Sequence, residues 1–239
     1  NRGQSHVVGV VLLMAVGVIG LAGLTAGIGA LVEQSAASAD ATRVADDLSA
    51  ALEPVETTGW SRGEIRFTAG SLRTIDRDVR VLDGAGTVRR IESGGLVFEA
   101  SGRRVAYLND AVFRQTAGNA WLHEPPPLTV SKSGGNGVFV ASVVRLDVSD
   151  VAVTGDSETS VEITSRVTHT RTPLGNGSYG LAIETTTPRP LERWFEGKNA
   201  TVFRRDFDGD GIESVVARFP GTREGYLVVH DVDLEVANR

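Results

Sequence analysis

Apolar and polar positions divide the chain into two regimes. From Val7 to Val32 every residue is apolar or glycine except Thr25. At about 1.5 Å per residue this exceeds the ~20 residues needed to cross a bilayer core. A secretory signal has a shorter apolar stretch, about 7–15 residues, followed by a small-residue cleavage site. No such site follows, so the run is expected to stay on the protein. Beyond it, Val44, Leu48 and Leu52 recur at i, i+4, i+8 and form one apolar stripe opposed by Arg43, Asp46 and Asp47. Pro54 is expected to end the helix, because proline disfavours helical geometry in the residue before it. The pattern predicts one helix from about Gln4 to Glu53, apolar in its first half and amphipathic in its second, acting as a stalk.

After "TTGWSRG" the period changes to two. Short alternating stretches centre on Ile65/Phe67, Val79/Val81, Val88/Ile91, Leu96/Phe98, Val105/Tyr107 and Val112/Phe113, separated by turn signals such as Asp83-Gly84 and Gly118-Asn119. Strands this close together predict antiparallel hairpins, since parallel pairs need long crossovers. Pro125–Pro127 is expected to carry the chain to a second sheet. Longer strands follow from "GVFVASVVRLDVSDVAV" through "GLAIETTT", then a single helical segment, "RPLERWFEGK", and a closing group of strands. The expected fold class is α+β: a long N-terminal hydrophobic helix, residues 1–54, followed by an antiparallel β-rich head of the β-sandwich kind, residues 55–239.

Glycine marks the apolar run. Gly17, Gly20, Gly23 and Gly27 lie among Val, Leu, Ile and Ala, and Gly23 to Gly27 is a GxxxG. In water each glycine costs a helix about 0.8–1 kcal/mol against alanine, but small residues let helix backbones approach closely. These four are the candidate helix-packing positions. A short basic stretch ending in Gly3, then Gln4 and an unbroken apolar helix, resembles the N-terminus of archaeal type IV pilins and archaellins. The resemblance implies a class III signal peptide cut by a prepilin peptidase between Gly3 and Gln4. It also implies membrane residence before assembly, and a helical filament whose core is the apolar helix. The chain departs from the bacterial pattern in lacking a Glu near the fifth residue after the cut, and it retains Asn1 to Gly3.

Composition narrows the classes. Lys132 and Lys198 are the only lysines among 24 basic residues, against 30 acidic ones, for a net charge of −6. An acidic, lysine-poor chain resembles proteins of halophilic archaea, or reflects a GC-rich genome. The absence of cysteine excludes disulfides and Cys-based metal sites. Net acidity argues against nucleic acid as a partner.

Several strings suggest chemistry. Gly59-Trp60-Ser61-Arg62-Gly63 matches G-x-S-x-G, but a nucleophile elbow needs a strand before and a helix after. The order here is inverted, so a turn entering the first strand is expected. Gly175 to Gly180 matches G-x-G-x-x-G, yet a strand follows where the dinucleotide motif needs a helix, so a hairpin loop is expected. His6, His123, His169 and His230 share no metal-ligand spacing. No enzyme is expected.

"DFDGDGIES" places Asp206, Asp208 and Asp210 at alternate positions before Gly211. This is the first half of a calcium loop without its closing glutamate, or else an acidic hairpin tip, since D-G is a strong hairpin signal. Calcium is the one cofactor considered. Asn176 and Asn199 head N-x-[ST] sequons in expected loops and are candidate glycosylation sites on a chain displayed at the cell surface. The expected function is a structural subunit of an extracellular filament, self-associating through its N-terminal helix, with the head exposed for adhesion or as a surface layer. The alternative is a membrane-anchored surface binding domain or a minor assembly component.

Overall fold

In the computed structural model the described residues are 2–52, 57–132, 137–148 and 151–238. Along the first helix side chains are described from Met14 onward, except at positions 20, 23, 26, 27, 30 and 33. Helix α1 (Arg2–Leu52) precedes β1 (Gly59–Phe67), β2 (Gly70–Ile75), β3 (Asp78–Leu82), β4 (Thr87–Glu92), β5 (Gly95–Ala100), β6 (Arg103–Leu108), β7 (Ala111–Thr116) and β8 (Asn119–Glu124). Then come β9 (Leu128–Val130), β10 (Val138–Val148), β11 (Ala152–Gly155), β12 (Thr159–Gly177) and β13 (Gly180–Glu184). Helix α2 (Pro188–Gly197), β14 (Thr201–Arg205), β15 (Ser214–Arg218) and β16 (Arg223–Asn238) complete the order.

The strands form three sheets: β1-β12-β16-β10-β9, β11-β2-β5-β6-β7-β8 and β14-β15-β13-β3-β4. Pro125–Pro127 lies between β8 in the second sheet and β9 in the first, so the triple proline does carry the chain from sheet to sheet. One ladder departs from the antiparallel expectation: β10 and β16 run parallel from Val138/Glu224 to Val148/Leu234. The long stretch between them supplies the crossover that such a pair requires.

Among the described residues two large hydrophobic cores result, with a small third cluster of Leu82, Ala182 and Val216. The first gathers Val44, Leu48 and Leu52 of α1 with Ile65 and Phe67 of β1, Phe98 and Tyr107 of the second sheet, and Val167 and Val232 of the first. The second lies among all three sheets and takes in Phe113, Phe139, Tyr179 and Phe219, with Leu191 and Phe195 of α2. The middle sheet serves both cores, Phe98 on one face and Val97 on the other. Strands buried on both faces lose alternation, as β5 shows.

Three expectations are corrected. Of the residues described with their side chains, 56 % are strand and 21 % helix, so the chain is mainly β and not a pilin-like α+β protein. The reason is that α1 from Ala37 to Leu52 is no free stalk but one more layer on the sheets. Asp40, 3 % exposed, accepts hydrogen bonds from the Thr68 N–H (2.9 Å) and the Thr68 hydroxyl (3.1 Å). Asp47, expected on the solvent face, accepts the Arg66 N–H at 3.0 Å. Second, the apolar run over 7–32 predicts a membrane-spanning helix. Among the described residues no helix is long and apolar enough to cross a membrane. The longest stretch of α1 whose side chains are all described, 34–52, is the amphipathic half, carrying Asp40, Arg43, Asp46 and Asp47. Third, insertion in a membrane before assembly loses its structural basis for the same reason.

Candidate functional site

The described apolar half of α1 is the first unusual surface. Met14, Val16, Val18, Ile19, Leu21, Leu24, Ile28, Leu31 and Val32 are 54 to 71 % exposed. At 100° per residue these side chains leave no arc around the helix wider than about 100° unoccupied. A soluble helix instead confines apolar residues to one stripe. Of the candidate packing glycines, Gly17 is exposed, and a methyl group there would meet nothing within 4 Å. The surroundings of Gly20, Gly23 and Gly27, and the side chains at Gly3 and Gln4, lie outside the described residues.

The second unusual feature is an ion cluster on the third sheet. The Asp206, Asp208 and Asp210 side chains do not converge on one point. Asp206 accepts the backbone N–H groups of Asp208 (3.1 Å), Gly209 (2.7 Å) and Gly211 (3.1 Å), and these bonds hold its carboxyl below the usual range. Asp210 accepts the Ile212 N–H at 2.9 Å. Only Asp208 turns inward. Arg80, on β3, donates through Nη2 to Asp208 Oδ2 at 2.5 Å and to Asp78 Oδ2 at 2.7 Å. Arg90 on β4 reaches Asp78 at 2.7 Å, and Arg77 stands 3.9 Å from Glu184. Phe207 follows Asp208's neighbourhood down onto the sheet, packing beside Leu82, Ala182 and Val216 between the guanidinium groups of Arg80 and Arg205. The loop is thus a strap folded over the sheet.

Carboxylate oxygens of Asp78, Glu184 and Asp208 lie within 4.8 Å of one another. That is a spacing a cation could use, but the Arg80 guanidinium bridges two of the three and supplies the positive charge itself. Of the three aspartates expected around calcium, Asp208 alone belongs to the group within ligand distance, and Asp206 and Asp210 accept backbone N–H groups of their own loop. Burial raises the carboxyl groups of Asp78 and Glu184 above the usual range. Arg80 and Arg90 oppose the shift at Asp78, and Arg77 opposes it at Glu184.

The remaining motifs resolve into packing. Gly59 to Gly63 lie within β1, not in a turn before it, and Ser61 Oγ is 2.7 Å from Ser165 Oγ on β12. A Cβ on Gly63 would sit 2.3 Å from Ala51 Cβ, so this glycine admits the helix. The glycine string at 175–180 is not a hairpin loop, because β12 and β13 belong to different sheets. Of its glycines Gly177 makes room for Tyr179, as does Gly225 on β16, and the Tyr179 hydroxyl donates to Leu174 O (2.8 Å) and Gly175 O (2.9 Å). Asn199 is exposed with φ of 59° just beyond α2. Asn176 is exposed but paired with Glu224 in the β12–β16 ladder, not in a loop. Sequence spacing also concealed two histidine contacts. His169 and His230 meet edge to face at 4.8 Å across β12 and β16, and His123 Nε2 lies 3.2 Å from Asp46 Oδ1 of α1. Neither pair has a sequence signature, since each joins distant elements.

The model of a family of unknown function, DUF7289, matches residues 2–235, and the chain belongs to that family. No curated protein and no solved structure is significantly similar to it.

Proposed function

We propose that this member of a family of unknown function is a structural subunit that assembles with copies of itself into a filament. The N-terminal part of α1 would lie inside the assembly and the β-rich head outside. The observation that carries this reading is the exposure of large apolar side chains around the whole circumference of α1 between Met14 and Val32. A single groove on one partner would cover one face only. Helices of neighbouring copies, packed on all sides, cover every face. Full burial of each Leu, Ile, Val or Met contributes about 1.5–3 kcal/mol, so nine such residues make a strong drive to associate. The ion cluster and the motif strings contribute packing, which favours a structural over a catalytic role. Display at the cell surface, and cutting between Gly3 and Gln4, belong to the same reading.

Leu24→Asp tests it. The variant places a carboxylate where a 65 % exposed leucine would become buried on assembly, losing about 1.5–3 kcal/mol of burial and adding the cost of an unpaired charge. Its head should melt like wild type, because Leu24 touches no core, while sedimentation and negative-stain microscopy should show no polymer. Undiminished assembly by Leu24→Asp would overturn the proposal. So would a wild-type chain that partitions into lipid vesicles without self-associating.

A further inference from the structure

We infer that the head carries two complementary charged surfaces through which one copy docks on the next, an acidic groove receiving an arginine patch of its neighbour. The inference rests on the self-assembly reading and names a second contact for it.

Two adjoining clefts, about 500 and 610 Å³ in volume, share Asp76, Glu92 and Gly94 and make one groove. Some of its acids are already matched: Asp78, Glu184 and Asp208 by Arg77, Arg80 and Arg90, and Asp231 by Arg145. Asp76, Glu92, Asp147, Asp210 and Asp233 form no ion pair among the described residues, and against these five acids stands Arg166, opposite Asp233 in the β12–β16 ladder. Arg80, 3 % exposed, neutralises the inner wall from below. Its Nη1 is buried without a hydrogen-bond acceptor, with Glu184 Oε2 3.8 Å away. The uncompensated negative charge therefore belongs to the outer carboxylates, four of which are exposed on the same groove as Asp76 itself.

A second pair of clefts shares Gln115 and Gly118 and has the opposite character. Its charged lining is Arg103, Arg104, Arg189, Arg193 and Arg204, with Glu99 the one carboxylate. Arg104 pairs with Glu99, and Arg204 with Glu192 and Glu213. Arg103 and Arg193 form no ion pair among the described residues, and Arg189 acts on Glu192 through its field without a close ion pair. Arg103 and Arg193 donate instead to neutral oxygens of Thr116, Gln34 and Ala120. The two surfaces flank the β13–α2 connection, with Glu184 lining one and Thr187 the other. Groove against groove sets like charges together. Groove against patch sets opposite charges together, and such a head-to-tail contact repeats without closing when its rotation does not complete a ring. The partner that fits the groove is therefore a second copy of this chain.

Charge reversal in the full chain tests the contact. Arg189→Glu/Arg193→Glu spoils the patch and Asp76→Arg/Glu92→Arg spoils the groove. Each should lower the assembled fraction at least about tenfold at roughly 0.1 M salt, where the screening length is about 10 Å. Mixing the two variants restores opposite charges at every contact and should return assembly to the wild-type level, a rescue that misfolding would not give. Wild-type assembly untouched by either reversal, or a mixture that fails to recover, overturns the groove–patch contact and leaves the helix reading intact. Assembly that needs calcium and ignores the patch reversal gives the groove to a cation and overturns the contact too. A wild-type chain that stays monomeric overturns both readings.

Discussion

Replacing Gly63 by alanine tests how tightly α1 is seated on the head. An ideal Cβ at Gly63 lies 2.3 Å from Ala51 Cβ and 2.7 Å from Ala51 Cα. Carbon atoms in contact prefer about 3.5–4.0 Å, so helix and strand must separate by roughly an ångström or more. The helix cannot lift freely, because Val44 and Leu48 are 0 % exposed and Leu52 is 1 % exposed in the core below it. Overpacking of this kind costs about 1–3 kcal/mol. For a chain of this length each kcal/mol is worth about 2–4 °C, so the variant should melt about 2–12 °C lower. Ala51→Gly supplies the second corner of a double-mutant cycle. Alone it weakens the helix by about 1 kcal/mol. Combined with Gly63→Ala it removes the 2.3 Å clash but keeps the 2.7 Å one, so the double variant should be more stable than the sum of the singles implies. Thermal unfolding followed by circular dichroism reads all four proteins. An unchanged melting temperature for Gly63→Ala, or strict additivity in the cycle, would refute the close approach of helix to strand and, with it, the packing role of Gly63.

Two further outcomes follow from the ion cluster. Glu184 has its carboxyl raised, chiefly by burial, so the stability it contributes is present below its ordinary pKa and lost as pH rises through the raised value. Glu184→Gln removes that loss. The melting temperature of the variant minus that of wild type should therefore grow from about pH 4 to about pH 7, and a flat or falling difference would contradict the burial argument. Asp206→Ala removes the acceptor of three N–H groups, so amide exchange at Asp208, Gly209 and Gly211 should quicken while the β13 amides keep their protection. Unaltered exchange at those three amides would show that the carboxylate does not order the strap.

What could be read in advance was local. Val44, Leu48 and Leu52 reveal a buried stripe because helical periodicity is visible within three turns, and α2 announces itself with Pro188 and Pro190 at its first turn. Ile65, Phe67, Phe98 and Tyr107 were legible as inward positions of short strands. β2 and β11 were not, since each strand carries little apolar pattern: Leu72 alone is buried in β2, and none of β11 is. The parallel pairing of β10 with β16 leaves no mark on either segment. The aspartates misled because spacing fixes which residues alternate, not where they point. Asp208 is held by Arg80, 128 residues earlier, and no local rule foretells that partner. The glycines at 175–180 misled for the same reason, since Gly177 answers to the Tyr179 ring and Gly180 to the Ala217 carbonyl, neighbours set by tertiary packing.

The place of β16 in the first sheet bears on how the protein is made. This strand, the last among the described residues, lies between β12 and β10, pairing with the first from Val161/Asn238 to Gly177/Arg223. Chains leave the ribosome from the N-terminal end, and domains ordinarily fold as they emerge. Here α1, β1 and the strands β5, β6 and β7 that α1 lies against emerge before β16, yet Val232 and Leu234, which complete the same core, arrive only with that strand. Until β16 emerges the core around Val44, Leu48 and Leu52 therefore stays incomplete, while the apolar side chains between Met14 and Val32 are exposed before and after. If the chain assembles as proposed, a nascent copy in that condition is a ready target for premature association on the polysome, and a chaperone that shields α1 until release would keep assembly from running ahead of folding.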